Sequence, residues 1–185
     1  MSAPTAQVPG YQSGTYVIDP AHSEASFSVR HLVTKVRGRF AKLEGEIKAA
    51  EDPTQSTVSI TIDPTSIHTN NEQRDGHLRS ADFLEVEKYP VLTFVSTGIR
   101  PNGDDFLIDG DLTIKGVTRP ITAKLEVGGF TPGPDGALRG GFNASFDIDR
   151  NDYNVNFNAV LETGGVMVGD KISIQFDAEA ILQTA

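Results

Sequence analysis

The chain of 185 residues carries 16 basic against 25 acidic residues, a formal charge of -9, so neither nucleic acid nor an anionic membrane face is an expected partner. Cysteine is absent, which excludes a disulfide framework, a thiol nucleophile, a thiolate zinc site and an iron-sulfur cluster. With 38% hydrophobic and 22% charged residues, the composition is that of one ordinary folded domain.

Residues 1–14 hold two prolines, no basic run and no apolar run, and read as a disordered lead-in rather than a secretory signal; residues 15–185 read as the domain. From Glu24 to His31, Ala25, Phe27, Val29 and His31 share one face while Glu24, Ser26, Ser28 and Arg30 share the other, as in a half-buried strand. Val36, Gly38 and Phe40 continue on one parity, and the apolar set then shifts to Leu43, Gly45, Ile47 and Ala49. That shift predicts a β-bulge near Ala41 and Lys42. Val58, Ile60 and Ile62 alternate with Thr57, Ser59 and Thr61.

From Asn70 to Glu87 the alternation stops, and Asn70 or Asn71 is placed to cap a helix of one or two turns carrying Leu78 and Ala81. Alternation resumes in Phe106 to Ile114, in Ile121 to Val127, in Leu138 to Ile148 and in Ile172 to Leu182. Turn chemistry separates the strands at Asp52-Pro53, Asn102-Gly103, Thr131 to Gly136 and Gly164-Gly165. The pattern predicts an all-β fold, a barrel or sandwich with a short helical insertion, and closure into a barrel would remove the edges that many strands leave. Gly38, Gly45, Gly110 and Gly140 lie on the inward parity, where a strand glycine marks a bend or a close approach to the backbone. About eight strands enclose an interior that is filled by side chains or holds one small ligand.

Four histidines invite a chemical role. His31 ends an inward parity and reads either as a core histidine bonded to a neighbour or as a donor to a ligand head group. His22, after Asp19-Pro20, either stabilises a turn or lines a mouth. His68 and His77 flank the helix at a spacing that matches no short metal motif, so no metal is expected, although His22, His31 and His77 could meet in space. Arg74, Asp75, His77 and Arg79 concentrate charge there, as a polar lid or as a solvated helix face. No nucleophile elbow, phosphate loop or dinucleotide fingerprint occurs, and Asp109 and Asp111 lie on an outer parity, so catalysis is not expected. No segment approaches the roughly 20 apolar residues of a transmembrane helix, so stable membrane insertion is not expected.

Several strings together resemble the YceI-like family of lipocalin-like polyisoprenoid-binding proteins. They are Tyr16 to Ser23, Phe27 to Leu32, Val36 to Phe40, Arg74 to Leu84, Lys88-Tyr89-Pro90, Thr93 to Ser96, Gly110 to Pro120, and Asp149-Arg150 with Tyr153. One departure is Asn154, where family members often carry glycine. The resemblance implies an extended, antiparallel, lipocalin-like β-barrel around an elongated pocket for an isoprenoid lipid, either a polyprenyl phosphate or a prenylated quinone. On that reading Phe27, Val29, Phe40, Ile60, Phe94, Phe142, Phe146 and Phe176 line the pocket, and His22, His31, Arg74 and His77 form a polar mouth. The lipid is then a bound ligand with no separate cofactor, and its transport, storage or shielding is the expected role. An enzyme acting on a bound apolar substrate and a structural barrel are the alternatives. A homodimer is permitted, and the compartment expected without a leader is the cytoplasm; a mature periplasmic or secreted form reads the same.

Overall fold

The computed structural model describes residues 8–159, 161 and 167–184, so residues 1–7 and the expected turn at Gly164-Gly165 lie outside it. Three Asp-Pro pairs punctuate the first half of the chain: Asp19-Pro20, Asp52-Pro53 and Asp63-Pro64. Each opens a 3₁₀ turn in which proline, lacking an amide proton, takes the first position. The preceding carboxylate accepts from the amide two residues on, at 3.0, 3.0 and 2.9 Å.

These turns divide strands β1 (Gly14–Ile18), β2 (Glu24–His31), β3 (Thr34–Phe40), β4 (Leu43–Ala49), β5 (Thr57–Ile62) and the short β6 (Ile67–His68). The predicted parity shift falls between β3 and β4, where the Lys42 amide leaves the ladder and donates to Ser66 Oγ at 3.0 Å. As a result β3 pairs with β2 while β4 pairs with β1, so one continuous stretch of chain serves two parts of the sheet.

Helix α1 (Glu72–Arg79) interrupts the strands where alternation stops, capped by Asn71 Oδ1, which accepts from the Arg74 amide at 2.9 Å. Long strands follow: β7 (Leu92–Asn102), β8 (Asp105–Ile114), β9 (Val117–Pro132), β10 (Leu138–Asp149) and β11 (Val168–Leu182). Among the described residues every strand pairing is antiparallel, in the order β1-β4-β5-β7-β8-β9-β10-β11, and β11 returns to β1. The ring closes as an eight-stranded antiparallel barrel, and β2, β3 and β6 extend it beyond the other edge of β1's contact with β11.

One end is sealed by Tyr16, Ile18, Ala25, Leu43, Ala49 and Ala180, against which Tyr11 packs. The Tyr11 hydroxyl donates to the Ala50 carbonyl, and its ring meets Phe130 edge-on at 5.5 Å. The expected disordered lead-in is therefore corrected over its last residues: Tyr11 offers an apolar ring to the barrel end and a hydroxyl to a free carbonyl.

The inward glycines make room for rings. A Cβ at Gly110 would collide with the Phe94 ring and lie 2.7 Å from the Val95 carbonyl oxygen; one at Gly38 would collide with Phe27 and lie 2.8 Å from Thr69 Cγ2. Gly110→Ala is expected to lower stability by about 1–3 kcal/mol, read as a lower urea midpoint. Gly141→Ala, where a Cβ meets nothing within 4 Å, serves as the control. Equal midpoints for the two variants would contradict the close approach.

Candidate functional site

The inward faces of the strands enclose a cavity of about 290 Å³. All eight apolar residues expected to face it do so: Phe27, Val29, Phe40, Ile60, Phe94, Phe142, Phe146 and Phe176. Each is only half-buried although it points to the barrel axis. An interior side chain that keeps accessible surface faces unfilled space, so this barrel is not packed solid.

None of the four residues expected to form a polar mouth lines the cavity, and local partners hold His22, Arg74 and His77. His22 is exposed, with Nδ1 2.7 Å from Asp19 Oδ2; that hydrogen bond raises the imidazole pKa and lowers the carboxyl's. Asp19, His22 and Glu179 are close enough to share a cation, but the Arg139 guanidinium stands 3.6 Å from Asp19 and 3.3 Å from Glu179 and supplies the positive charge. His31 ends β2 opposite Thr34 and Val168, outside the cavity lining.

Arg74 turns back on its own segment, donating from Nε to Thr69 Oγ1 at 2.8 Å and from Nη2 to the Thr69 carbonyl at 2.6 Å. Buried Asp75 accepts from the Thr69 amide at 2.9 Å, so Thr69 anchors the start of α1. His77 lies 2.8 Å from Asp82 and packs edge-on against Phe83 and Phe157, with centroids 5.0 and 4.9 Å away. The helix uses its polar side chains to fasten itself. Its apolar ones, Leu78 with Phe83 and Leu84 beyond it, form part of the cavity wall.

Two polar residues do line the cavity at this end, and the sequence reading did not place them there: Arg150 and Tyr153. Both sit in the 3₁₀ turn Arg150–Tyr153 that ends β10, a turn capped by the Asp149 carboxylate. Asn154 closes it at φ 58°, a left-handed conformation that asparagine tolerates, so the departure from glycine keeps the turn.

Arg150 is 3% exposed, and its guanidinium faces backbone carbonyls instead of a carboxylate. Nε donates to Gly169 at 2.8 Å, Nη1 to Val155 at 2.7 Å and Phe157 at 2.8 Å, and Nη2 to Val168 at 3.3 Å. Burial lowers its pKa, opposed by the charges of Asp170 and Asp149. The signal was present in the sequence, because Arg150 continues the inward parity of Phe142, Ala144, Phe146 and Ile148. Tyr153 is 2% exposed, and burial pushes its hydroxyl up to about 12.

A YceI-like domain matches residues 16–180. The chain belongs to the YceI-like family. Curated relatives include a UPF0312 protein of Staphylococcus aureus strain MSSA476, 38% identical over 89% of this chain and 95% of that protein. One of Staphylococcus epidermidis is 41% identical over 87% and 94%. Among solved structures, Burkholderia cenocepacia BcnA superposes with a TM-score of 0.77 at 25% identity, covering 88% of this chain and 98% of that one. The Campylobacter jejuni YCEI protein does so with 0.70 at 28% identity, over 84% and 90%. A polyisoprenoid binding domain from Saccharophagus degradans shares the fold, with a TM-score of 0.70 at 19% identity over 93% and 100%. Among the described residues no helix is long and apolar enough to cross a membrane.

Replacing Arg150 removes donors from four carbonyls at once. Arg150→Met is expected to lower unfolding free energy by about 3 kcal/mol or more, and Arg150→Lys by less, in urea denaturation. Wild-type stability in Arg150→Met would show that the guanidinium does not hold this end of the barrel.

Proposed function

We propose that the barrel binds one isoprenoid lipid, a polyprenyl phosphate or a prenylated quinone, within its cavity and shields it from water without transforming it. The observation that carries this reading is the wall itself, hydrocarbon side chains on every strand of a closed ring around unfilled space. Each square ångström of ligand taken from water contributes about 25 cal/mol. An isoprenoid tail supplies apolar surface in proportion to its length, against the cost of ordering it. The Saccharophagus degradans domain, described as polyisoprenoid binding, supports the same class of ligand through its shared fold.

Binding is favoured over catalysis by the chemistry of the wall. Of its polar groups, Arg150 is held by four carbonyls, and the Tyr16 hydroxyl donates to the Gln12 carbonyl at 2.7 Å. No acid and base converge on the cavity among the described residues. A purely structural barrel would fill its interior, and the half-buried ring faces of Phe27, Phe94 and Phe146 speak for occupancy by a ligand instead.

Ala144 lines the cavity, and Ser145 occupies the opposite face of the same strand. Ala144→Trp is expected to weaken uptake of the apolar fluorophore diphenylhexatriene and its displacement by geranylgeraniol about tenfold or more, whereas Ser145→Trp leaves both unchanged. Undiminished uptake in a folded Ala144→Trp protein would contradict an internal site.

A further inference from the structure

Buried polar side chains normally find partners, and the exceptions mark places where something else supplies them. Among the described residues two buried side-chain polar atoms have no hydrogen-bond partner: the Tyr153 hydroxyl and Arg79 Nε. Both belong to the same end of the barrel. Tyr153 lies in the turn after β10, and Arg79 is the last residue of α1, next to Leu78 of the cavity wall. Lys115 Nζ ties the two segments together, donating to the Asn154 carbonyl at 3.1 Å and to the Ala81 carbonyl at 3.5 Å.

The other polar groups of the wall are already engaged. Tyr11 donates to Ala50, Tyr16 to Gln12, Ser26 to the Gln175 carbonyl, and Ser56 Oγ accepts from the Ala50 amide. Arg150 is held by its four carbonyls. Tyr153 is thus the lining residue whose hydroxyl is left unpartnered, and it stands where the hydrocarbon wall gives way to buried polar groups.

From this polarity we propose that the ligand lies with its oxygen-bearing end at the α1 end, accepting a hydrogen bond from the Tyr153 hydroxyl. The hydrocarbon tail then runs along the barrel toward the end covered by Val8 and Tyr11. The assignment rests on the reading of the barrel as an isoprenoid site and adds the orientation and the chemical requirement, a hydrogen-bond acceptor at one end of the chain. Burial holds the phenol protonated to about 12, so it remains a donor at any physiological pH. A phenol hydroxyl donates equally to a carbonyl, a hydroxyl or a phosphate oxygen.

The test compares phytol with its parent hydrocarbon phytane as displacers of diphenylhexatriene from delipidated wild-type and Tyr153→Phe proteins. Loss of one hydrogen bond is expected to weaken phytol about three- to tenfold and leave phytane unchanged. The urea midpoint of ligand-free Tyr153→Phe should equal or exceed the wild-type value, because the hydroxyl has no partner to lose. Equal weakening of both ligands, or of neither, overturns the assignment while leaving the isoprenoid site standing. If wild-type protein is displaced by neither compound, the isoprenoid reading itself falls and takes the assignment with it.

Discussion

Strand β11 carries the closure on which everything else depends. Along one edge it pairs with β10 from Arg139 to Asp149, and along the other it pairs first with β2 and then with β1. Because β1 also pairs with β4, the eight-stranded ring meets itself, and the inward parity of its strands faces a common axis. Alternation is then enough to build a container. The size of its interior is set by what stands on the inward positions, where Gly110, Gly140, Ala123 and Ala144 alternate with rings and leave about 290 Å³ unfilled.

The two ends of that container differ in kind. One is closed by aliphatic and aromatic packing around Tyr16, Ile18 and Leu43, with Tyr11 laid against it. The other is closed by α1, the 3₁₀ turn after β10 and a buried arginine whose partners among the described residues are carbonyl oxygens. A buried guanidinium is tolerated only when most of its donors are satisfied, and here backbone groups do this without neutralising the charge. An end with buried polar groups thus terminates an otherwise apolar tube, and the two ends of the cavity differ in chemistry.

Alternation made the body of the site legible from the amino-acid sequence. A period of two is local, and a half-buried strand leaves no other place for Phe27, Phe142 or Phe146 than the interior once the sheet closes. The parity shift near Ala41 and Lys42 and the Asn71 cap were legible for the same reason, since each is written within a few residues, although the shift is a break between β3 and β4 and not a bulge in one strand. The polar end was not. His22, Arg74 and His77 were chosen for their chemical character, but their nearest partners, Asp19, Thr69 and Asp82, lie three to five positions away and claim them. Arg150 could have been found by extending the parity of β10 one step further, whereas its carbonyl partners at Phe157 and Gly169 come from loop geometry that no local pattern encodes. The unpartnered state of Tyr153 is likewise a property of the assembled end.

The central claim is that this cavity holds an isoprenoid lipid, and native mass spectrometry of the gently purified chain, followed by organic extraction, tests it most directly. The account predicts a complex of one chain with one lipid, and an extract containing an isoprenoid with an oxygen-bearing end. A bare-chain mass that persists after incubation with polyprenyl phosphate and with prenylated quinone would contradict it.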